Sequence, residues 1–509
     1  MHWKLTRITD RRKRKYLMKP ESKINVVFIL TDDQGYWAMG CAGNSELYTP
    51  HIDSIAHKGI RFTNFFCASP VCSPARASIL TGLMPSQHGI HDWLRRGNMA
   101  TQAGMPVFKG DDCGIEYLAG IPGFTDYLAK AGYRCGISGK WHLGDSLRPQ
   151  KGFSYWNVFP YGGSDHYYDP VMIQNGSVHQ VKGYLTDIIT DGALQFLDQC
   201  SGDSRPFYLS VHYTAPHSPW ESGQHPIDIV SCYADCPFDT CPDLPCHPWQ
   251  INSAPRGTGQ LRRELLSGYF AAITAMDIGV GKILNKIEEK GIRENTLVIF
   301  GSDNGMNMGH HGIWGKGNGT FPLNMFDTSV KVPFLMSLPG TSSQGVIEEG
   351  LHSHYDIFPT LLDFLKIDHN PDERMPGKSF ASILRGKTDV ESEFVVVFDE
   401  YGPVRMIRSN QWKYVHRYPY GPNELYDLHN DPGENINRYG DLSLQAITRE
   451  YRSLMENWFI QYSVPRLDGT RQEVYGKGQL SPIGTKLADM PTFACDWFYI
   501  DENGNQTKR

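Results

Sequence analysis

The chain has 509 residues, 40% of them hydrophobic and 20% charged, with a formal net charge of −6. That length exceeds one small core and calls for a large α/β domain with a smaller partner. The composition is that of a soluble globular protein, the acidic balance gives no sign of a nucleic-acid partner, and no apolar run reaches the roughly 20 residues that span a membrane.

The N-terminus is basic, with Arg7, Arg11, Arg12, Lys13, Arg14 and Lys15. Tyr16-Leu17-Met18-Lys19-Pro20 follows, then polar residues, with no apolar core or small-residue cleavage site. No export signal is read, so a cytoplasmic location is expected. Residues 1–22 read as a tail, or as an extension ahead of a start at Met18. The eleven cysteines include a cluster, Cys232, Cys236, Cys241 and Cys246, with His247 next. Its spacing lacks the C-x-x-C knuckles of common zinc sites. It reads as small buried residues in a Pro-rich insertion, with a metal site or local disulfide as the alternative.

The first element is the apolar, β-branched run Ile24 to Leu30, a buried parallel strand. It ends at Thr31-Asp32-Asp33-Gln34-Gly35, and sites in open α/β sheets form beyond strand carboxyl ends. Two adjacent Asp there suit a hard metal ion, or a turn. Thr49 to Ala56 starts a helix, and Gly59 to Asn64 is a second strand. Cys72-Ser73-Pro74-Ala75-Arg76 then heads the apolar run Ala77 to Leu83, a helix with Ser73 as N-cap and Pro74 in the first turn. Cys72 should lie just before the helix N-terminus, where free N–H groups favour an anion, with Arg76 facing the same site. His91, Asp92, Trp93, Arg95 and Arg96 follow and suit a grip on a sugar, or an ordinary surface loop.

A helix over Thr125 to Ala131 leads to a strand at Arg134 to Ser138 and then to Gly139-Lys140-Trp141-His142-Leu143-Gly144. Another strand, Phe207 to Val211, precedes His212-Tyr213-Thr214-Ala215-Pro216-His217-Ser218-Pro219. Residues 218–258 read as an insertion dense in Pro, Cys and Asp, able to close a pocket. Leu265 to Lys290 is a long helix with a core-facing stripe of Leu266, Tyr269, Phe270, Ile273, Ile278, Ile283 and Ile287. The strand Thr296 to Phe300 ends at Gly301-Ser302-Asp303-Asn304-Gly305. Four strands thus deliver polar clusters to one sheet edge. His310 and His311 read as local packing, and Lys316 follows in Trp314-Gly315-Lys316-Gly317. Val332 to Met336 is a strand, and a helix starts near His354. Short strands follow at Phe394–Asp399, Arg405–Arg408, Trp412–Val415 and Glu424–Leu428, then a helix over Leu442–Tyr462. The tail after Ser463 reads as a surface arm, with wrapping of a neighbour or of the site rim as alternatives. The expected divisions are 1–22, a catalytic unit over 23–394, and a C-terminal unit over 395–509.

Cys-x-Pro-x-Arg followed by Ala77-Ser78-Ile79-Leu80-Thr81-Gly82 resembles the maturation signature of the formylglycine-dependent sulfatases of the alkaline phosphatase superfamily. Gly-Lys-Trp-His-Leu-Gly at 139–144 and Pro-His-Ser-Pro at 216–219 resemble further family signatures. The resemblance spans about Ile24 to Arg438 and implies the family's large, mostly parallel mixed sheet flanked by helices, with a smaller C-terminal antiparallel sheet plus helix. It implies that Cys72 is oxidised to formylglycine by a maturing enzyme. It implies metal binding by Asp32, Asp33, Asp303 and Asn304 with residue 72. These are oxygen donors throughout, which suits Ca²⁺ or Mg²⁺ rather than zinc. It assigns sulfate contacts to Arg76, Lys140 and Lys316, proton transfer on the formylglycine to His142, and protonation of the leaving oxygen to His217. Asp33 is a further candidate base. Ser164, Asp165 and His166 are candidates for a last sulfate-side contact.

The expected reaction is hydrolysis of a sulfate monoester, most simply at the chain end of a sulfated carbohydrate of galactose or amino-sugar type. A broad arylsulfatase, a phosphomonoester or phosphonate ester hydrolase, and a non-catalytic glycan-binding relative are the alternatives. A homo-oligomer stays open.

Overall fold

The computed structural model describes residues 23–100, 113–340, 344–369, 374–387, 392–397, 404–485, 491–494, 498–500 and 506–508. The expected tail at 1–22 lies outside these, as does the end of the strand expected at Phe394–Asp399.

A ten-stranded sheet organises the molecule. In chain order its strands are β1 (Asn25–Thr31), β2 (Ile60–Phe62), β3 (Arg134–Lys140), β4 (Phe153–Phe159), β5 (Val171–Gln174), β6 (Ser177–Gln180), β7 (Phe207–His212), β8 (Thr296–Ser302), β9 (Phe334–Ser337) and β10 (Val346–Glu348). Their spatial order is β10-β2-β9-β8-β1-β7-β3-β4-β5-β6. The central run β8-β1-β7-β3-β4 is parallel. Strands β9 and β5 run against the central direction and make the sheet mixed.

Strand period two explains the layering. On β1, Val26, Phe28 and Leu30 enter one apolar cluster while Val27 and Ile29 enter the other. The first cluster also takes α2 (Cys72–Thr81), α3 (Phe124–Lys130) and α6 (Ile357–Phe364). The second takes α1 (Pro50–His57), α4 (Leu185–Gln199) and α5 (Gly259–Glu289). Helix α5 begins six residues earlier than expected. Ile278, expected in its core stripe, is 42% exposed.

A second, antiparallel sheet holds β11 (Val395–Val397), β12 (Val404–Arg408), β13 (Trp412–Arg417) and β14 (Glu424–Asp427). Helix α7 (Gln445–Tyr462) packs on it through Met455 and Phe459 against Val396, Ile407, Tyr414 and Leu425. The fold expectation therefore holds in both layers. Every described cysteine is a free thiol, so the Cys232/Cys236/Cys241/Cys246 cluster forms no disulfide. Cys241 is buried against the core that includes Phe238 and Phe270. Among the described residues no helix is long and apolar enough to cross a membrane.

Candidate active site

The four central parallel strands β8, β1, β7 and β3 end side by side, and each leads straight into polar residues. Buried strands are apolar along their length, so the first polar groups appear where the sheet stops. Asp32 and Asp33 follow β1, Lys140 closes β3, His212 closes β7, and Asp303 and Asn304 follow β8. Cys72 and Arg76 come in from α2, His217 from the loop after β7, and Lys316 from the loop beyond β8.

The charges interlock. The Arg76 Nε–H donates to Asp303 Oδ2 at 2.9 Å, and Arg76 Nη2 lies 3.8 Å from Asp32 Oδ2. The Lys140 ammonium makes a short contact with Asp32 Oδ2. Lys316 Nζ donates to Asp33 Oδ1 at 2.5 Å, and the Asn304 amide donates to the same oxygen at 2.8 Å. His217 Nε2 is 3.7 Å from Asp33 Oδ2. Three carboxylates thus face three cations, all buried. Burial works to raise Asp32, but Lys140, then His217 and Arg76, outweigh it and hold its carboxyl well below the usual range. Burial and the Asp32 charge push Asp303 the other way, up to about 7. Burial also pushes the Cys72 thiol up, against the pull of Lys140 and Lys316.

Cys72 is the first residue of α2, with Val71 at the N-cap position. The expected Ser73 cap is therefore wrong. The Ser73 hydroxyl instead donates to the His142 carbonyl at 3.0 Å and accepts from the Leu94 N–H at 3.1 Å. His142 is buried, and its Nε2 is 3.1 Å from the Leu94 carbonyl. A carbonyl only accepts, so Nε2 carries the proton and Nδ1 is an acceptor. Burial, then the Lys140 charge, hold this imidazole well below its usual range, hence neutral. His217 Nδ1 faces the Ser218 carbonyl at 2.8 Å, which leaves Nε2 for exchange with a ligand. His212 is tied to the Lys140 carbonyl at 3.2 Å, a structural role.

The donors suit a hard divalent cation. Asp32 Oδ1 and Asn304 Oδ1 are buried oxygens without a hydrogen-bond partner. Such atoms are costly unless something electropositive meets them. Donor atoms of Asp32, Asp33 and His217 also lie within 4.8 Å of one another. Oxygen ligands of this kind fit Ca²⁺ or Mg²⁺.

Above this floor opens a cavity of about 1000 Å³. Asp33, Cys72, His142, His217 and Lys316 line its base. Of the expected sugar contacts, Trp93, Arg95, Ser164, Asp165 and His166 line it, whereas His91, Asp92 and Arg96 do not. His91 and Asp92 are wholly buried. The His91 ring meets the Leu467 carbonyl at 2.7 Å, and Asp92 accepts from the Trp93 and Gly478 N–H groups. Their polarity holds chain to chain rather than chain to sugar. The Arg96 carbonyl accepts from the Tyr117 hydroxyl.

The insertion lines the cavity through Ser218 and residues 251–254, not through its cysteines. Sequence reasoning missed Asn98, Tyr168, Asn252, Ser253, Gly476 and Lys477, which also line it. The tail is no plain surface arm, since Gly476 and Lys477 form part of the wall. Gly162 and Gly163 also line the cavity. A Cβ at Gly162 would sit 2.3 Å from the His142 ring, and one at Gly163 2.8 Å from the His217 ring.

Clustered strand-end carboxylates and cations at the base of a large cavity define an α/β enzyme that acts on an anionic ester. The sulfatase family model matches residues 24–367, more than half the chain, and the chain belongs to that family. A model for the C-terminal part of N-sulphoglucosamine sulphohydrolase matches residues 309–461. The chain is a sulfuric ester hydrolase. It is 26% identical to an N-acetylglucosamine-6-O-sulfatase of Bacteroides thetaiotaomicron, over 86% of each chain. It is 29% identical to an ulvan-active sulfatase of Formosa agariphila, over 84% of this chain and 80% of that one. A solved structure of a protein bound to its substrate D-glucosamine-2-N,6-O-disulfate shares the fold, with a TM-score of 0.71 at 24% identity, covering 88% of this chain and 99% of the other.

Proposed function

We propose that the enzyme removes sulfate from a sulfated carbohydrate at a chain end, with an amino sugar or galactose-type unit in the cavity and formylglycine made from Cys72 as its reactive group. One observation carries this reading. Cys72 lies at the floor of a cavity large enough for a sugar, within the electrostatic reach of Lys140 and Lys316. The sugar sulfatases among its relatives support the substrate class.

Formylglycine, once made by a maturing enzyme, supplies as its hydrate the hydroxyl that attacks sulfur. Asp32, Asp33, Asp303 and Asn304 would hold Ca²⁺ or Mg²⁺ with residue 72, adding Lewis-acid polarisation of the sulfate oxygens. Arg76, Lys140 and Lys316 neutralise charge around sulfur. His217, with Nδ1–H held on the Ser218 carbonyl, delivers a proton from Nε2 to the departing sugar oxygen when it enters the step as the imidazolium, and is left as the neutral ring. His142, neutral with Nδ1 as acceptor, takes a proton as sulfate leaves.

The test uses matured enzyme on 6-sulfated N-acetylhexosamines, sulfated galactose, nitrophenyl sulfate and matched phosphate and phosphonate esters. The sulfated sugars should show the highest kcat/KM. Faster turnover of phosphate or phosphonate esters would overturn the ester assignment, and glycan binding without turnover would place the chain among binding proteins.

A further inference from the structure

We infer that the arm from Val464 to Ser481 supports the catalytic machinery, and that Gln479 is a positioning residue that fixes the His142 imidazole through the Leu94 carbonyl. The inference rests on the reading above in giving His142 a proton to move.

The arm runs back across the loop that follows α2. The Val464 N–H donates to the Ser86 carbonyl at 2.9 Å and the Gly469 N–H to the Ser86 hydroxyl at 3.1 Å. Further on, Gln479 is wholly buried. Its N–H donates to the Trp93 carbonyl at 2.8 Å, and its carbonyl accepts from the Arg95 N–H at 3.0 Å. These two bonds bracket Leu94 as a short parallel bridge. The Gln479 side chain grips the same loop. Oε1 accepts from the His91 N–H at 3.0 Å, and Nε2 donates to the carbonyls of Gly89 at 2.9 Å and Ser481 at 3.1 Å. Asp92 adds a further tie to the Gly478 N–H at 2.8 Å.

Leu94 passes this constraint to the reacting groups. Its carbonyl accepts from His142 Nε2 at 3.1 Å and from the Asn98 amide at 2.7 Å. Its N–H reaches the Ser73 hydroxyl, next to Cys72, and that hydroxyl returns to the His142 carbonyl. One backbone unit therefore sets the His142 tautomer, its ring angle, and its spacing from α2. The backbone bridge to that unit and the side-chain grip on its loop come from Gln479, with Gly478 tied to Asp92 beside it. A buried amide with three made bonds holds its position tightly, since each lost bond leaves a buried group unsatisfied. Displacement of a reacting group by about 1 Å can cost roughly 10²-fold in rate.

The test compares wild type with Gln479→Met, which keeps length without hydrogen bonds, and with Asp92→Asn, which loosens the same joint should the first variant fold poorly. Both are measured in full-length matured enzyme, alone and combined with His142→Ala, on whichever sulfate ester wild type turns over. Wild-type turnover of that ester tests the function, and only the ratio of variant to wild type tests this inference. We expect kcat to fall about 10- to 100-fold with KM within about twofold, and no further fall in the His142→Ala background. Nitrogen NMR of the His142 ring should show the Nε2–H tautomer in wild type and a mixture in the variants. An equal loss in both backgrounds, an effect confined to KM, or an unchanged ring tautomer in the folded variants would overturn the positioning role.

Discussion

Asp33 and His142 both take a left-handed backbone, with φ of 63° and 53°. Non-glycine residues there cost on the order of 1–2 kcal/mol each, and such strain gathers at functional sites. Close packing around His142 and His217 makes the neighbouring glycines sensitive. Gly162→Ala should lower kcat at least about 10-fold by pushing the His142 ring aside, at little cost in Tm. Retained kcat would show that the loop yields instead. Cys72→Ala should remove turnover by roughly 10³-fold or more while thermal unfolding stays within a few degrees. Full activity with an unmodified thiol at position 72, read by peptide mass spectrometry, would refute the nucleophile assignment. Asp303→Ala should release the Arg76 guanidinium and lower metal content and activity together. Elemental analysis finding stoichiometric zinc, or unchanged Ca²⁺ or Mg²⁺ in the variant, would contradict the oxygen-donor reading.

At the scale of elements, apolar strands ending in polar clusters were readable because burial on both faces leaves no other place for charge. That logic brought Asp32, Lys140, His217 and Asp303 to one edge before any geometry was known. Helix ends were less readable, because their partners can lie far away in sequence. Val71 rather than Ser73 takes the N-cap position of α2, and the Ser73 hydroxyl is taken by Leu94 and His142. Helix α1 shows the same effect. Thr49 at its N-cap makes no side-chain cap bond, while Asp277 of α5 accepts from the N–H groups of Ile52 at 2.7 Å and His51 at 3.1 Å. Burial, aided by the Asp53 charge, pushes Asp277 up to about 7. The unfolded carboxyl ionises near 3.9, so between about pH 4 and 7 the folded chain holds a proton that the unfolded chain has released. Asp277 therefore makes stability fall as pH rises through that window, by at most about 1.4 kcal/mol per unit. Asp277→Asn keeps an acceptor for the α1 N–H groups and should flatten the slope relative to wild type in denaturant titrations from pH 4 to 7. An identical slope in both proteins would exclude Asp277 as its source.

At the scale of the molecule, the two sheets are joined by charge as well as by apolar packing. Asp327, just before β9, pairs with Arg408 of β12 at 3.1 Å and with Lys413 of β13 at 2.7 Å, while Lys413 also meets Glu434. The C-terminal arm then crosses back to the loop after α2, and this long-range return is what sequence patterning could not supply. Polar residues at 91–96 looked alike as sugar contacts. The arm takes His91 and Asp92 for itself and leaves Trp93 half-buried and Arg95 exposed at the cavity wall. Selectivity for a sugar over a flat aryl group should therefore lie with Trp93 and Arg95. An indole stacks on a sugar face, and a guanidinium donates in fixed directions to ring hydroxyls or a second anionic group. A site built on such bonds discriminates by leaving its polar groups unpaired when the analogue lacks the partner. Trp93→Ala and Arg95→Ala should each lower kcat/KM for the sulfated sugar about 10-fold or more, while nitrophenyl sulfate changes less than about threefold. Equal losses on both esters would mean that these residues support the reaction centre rather than the sugar. No loss on either would move recognition to other lining residues, Ser164, Asp165, His166 and Tyr168.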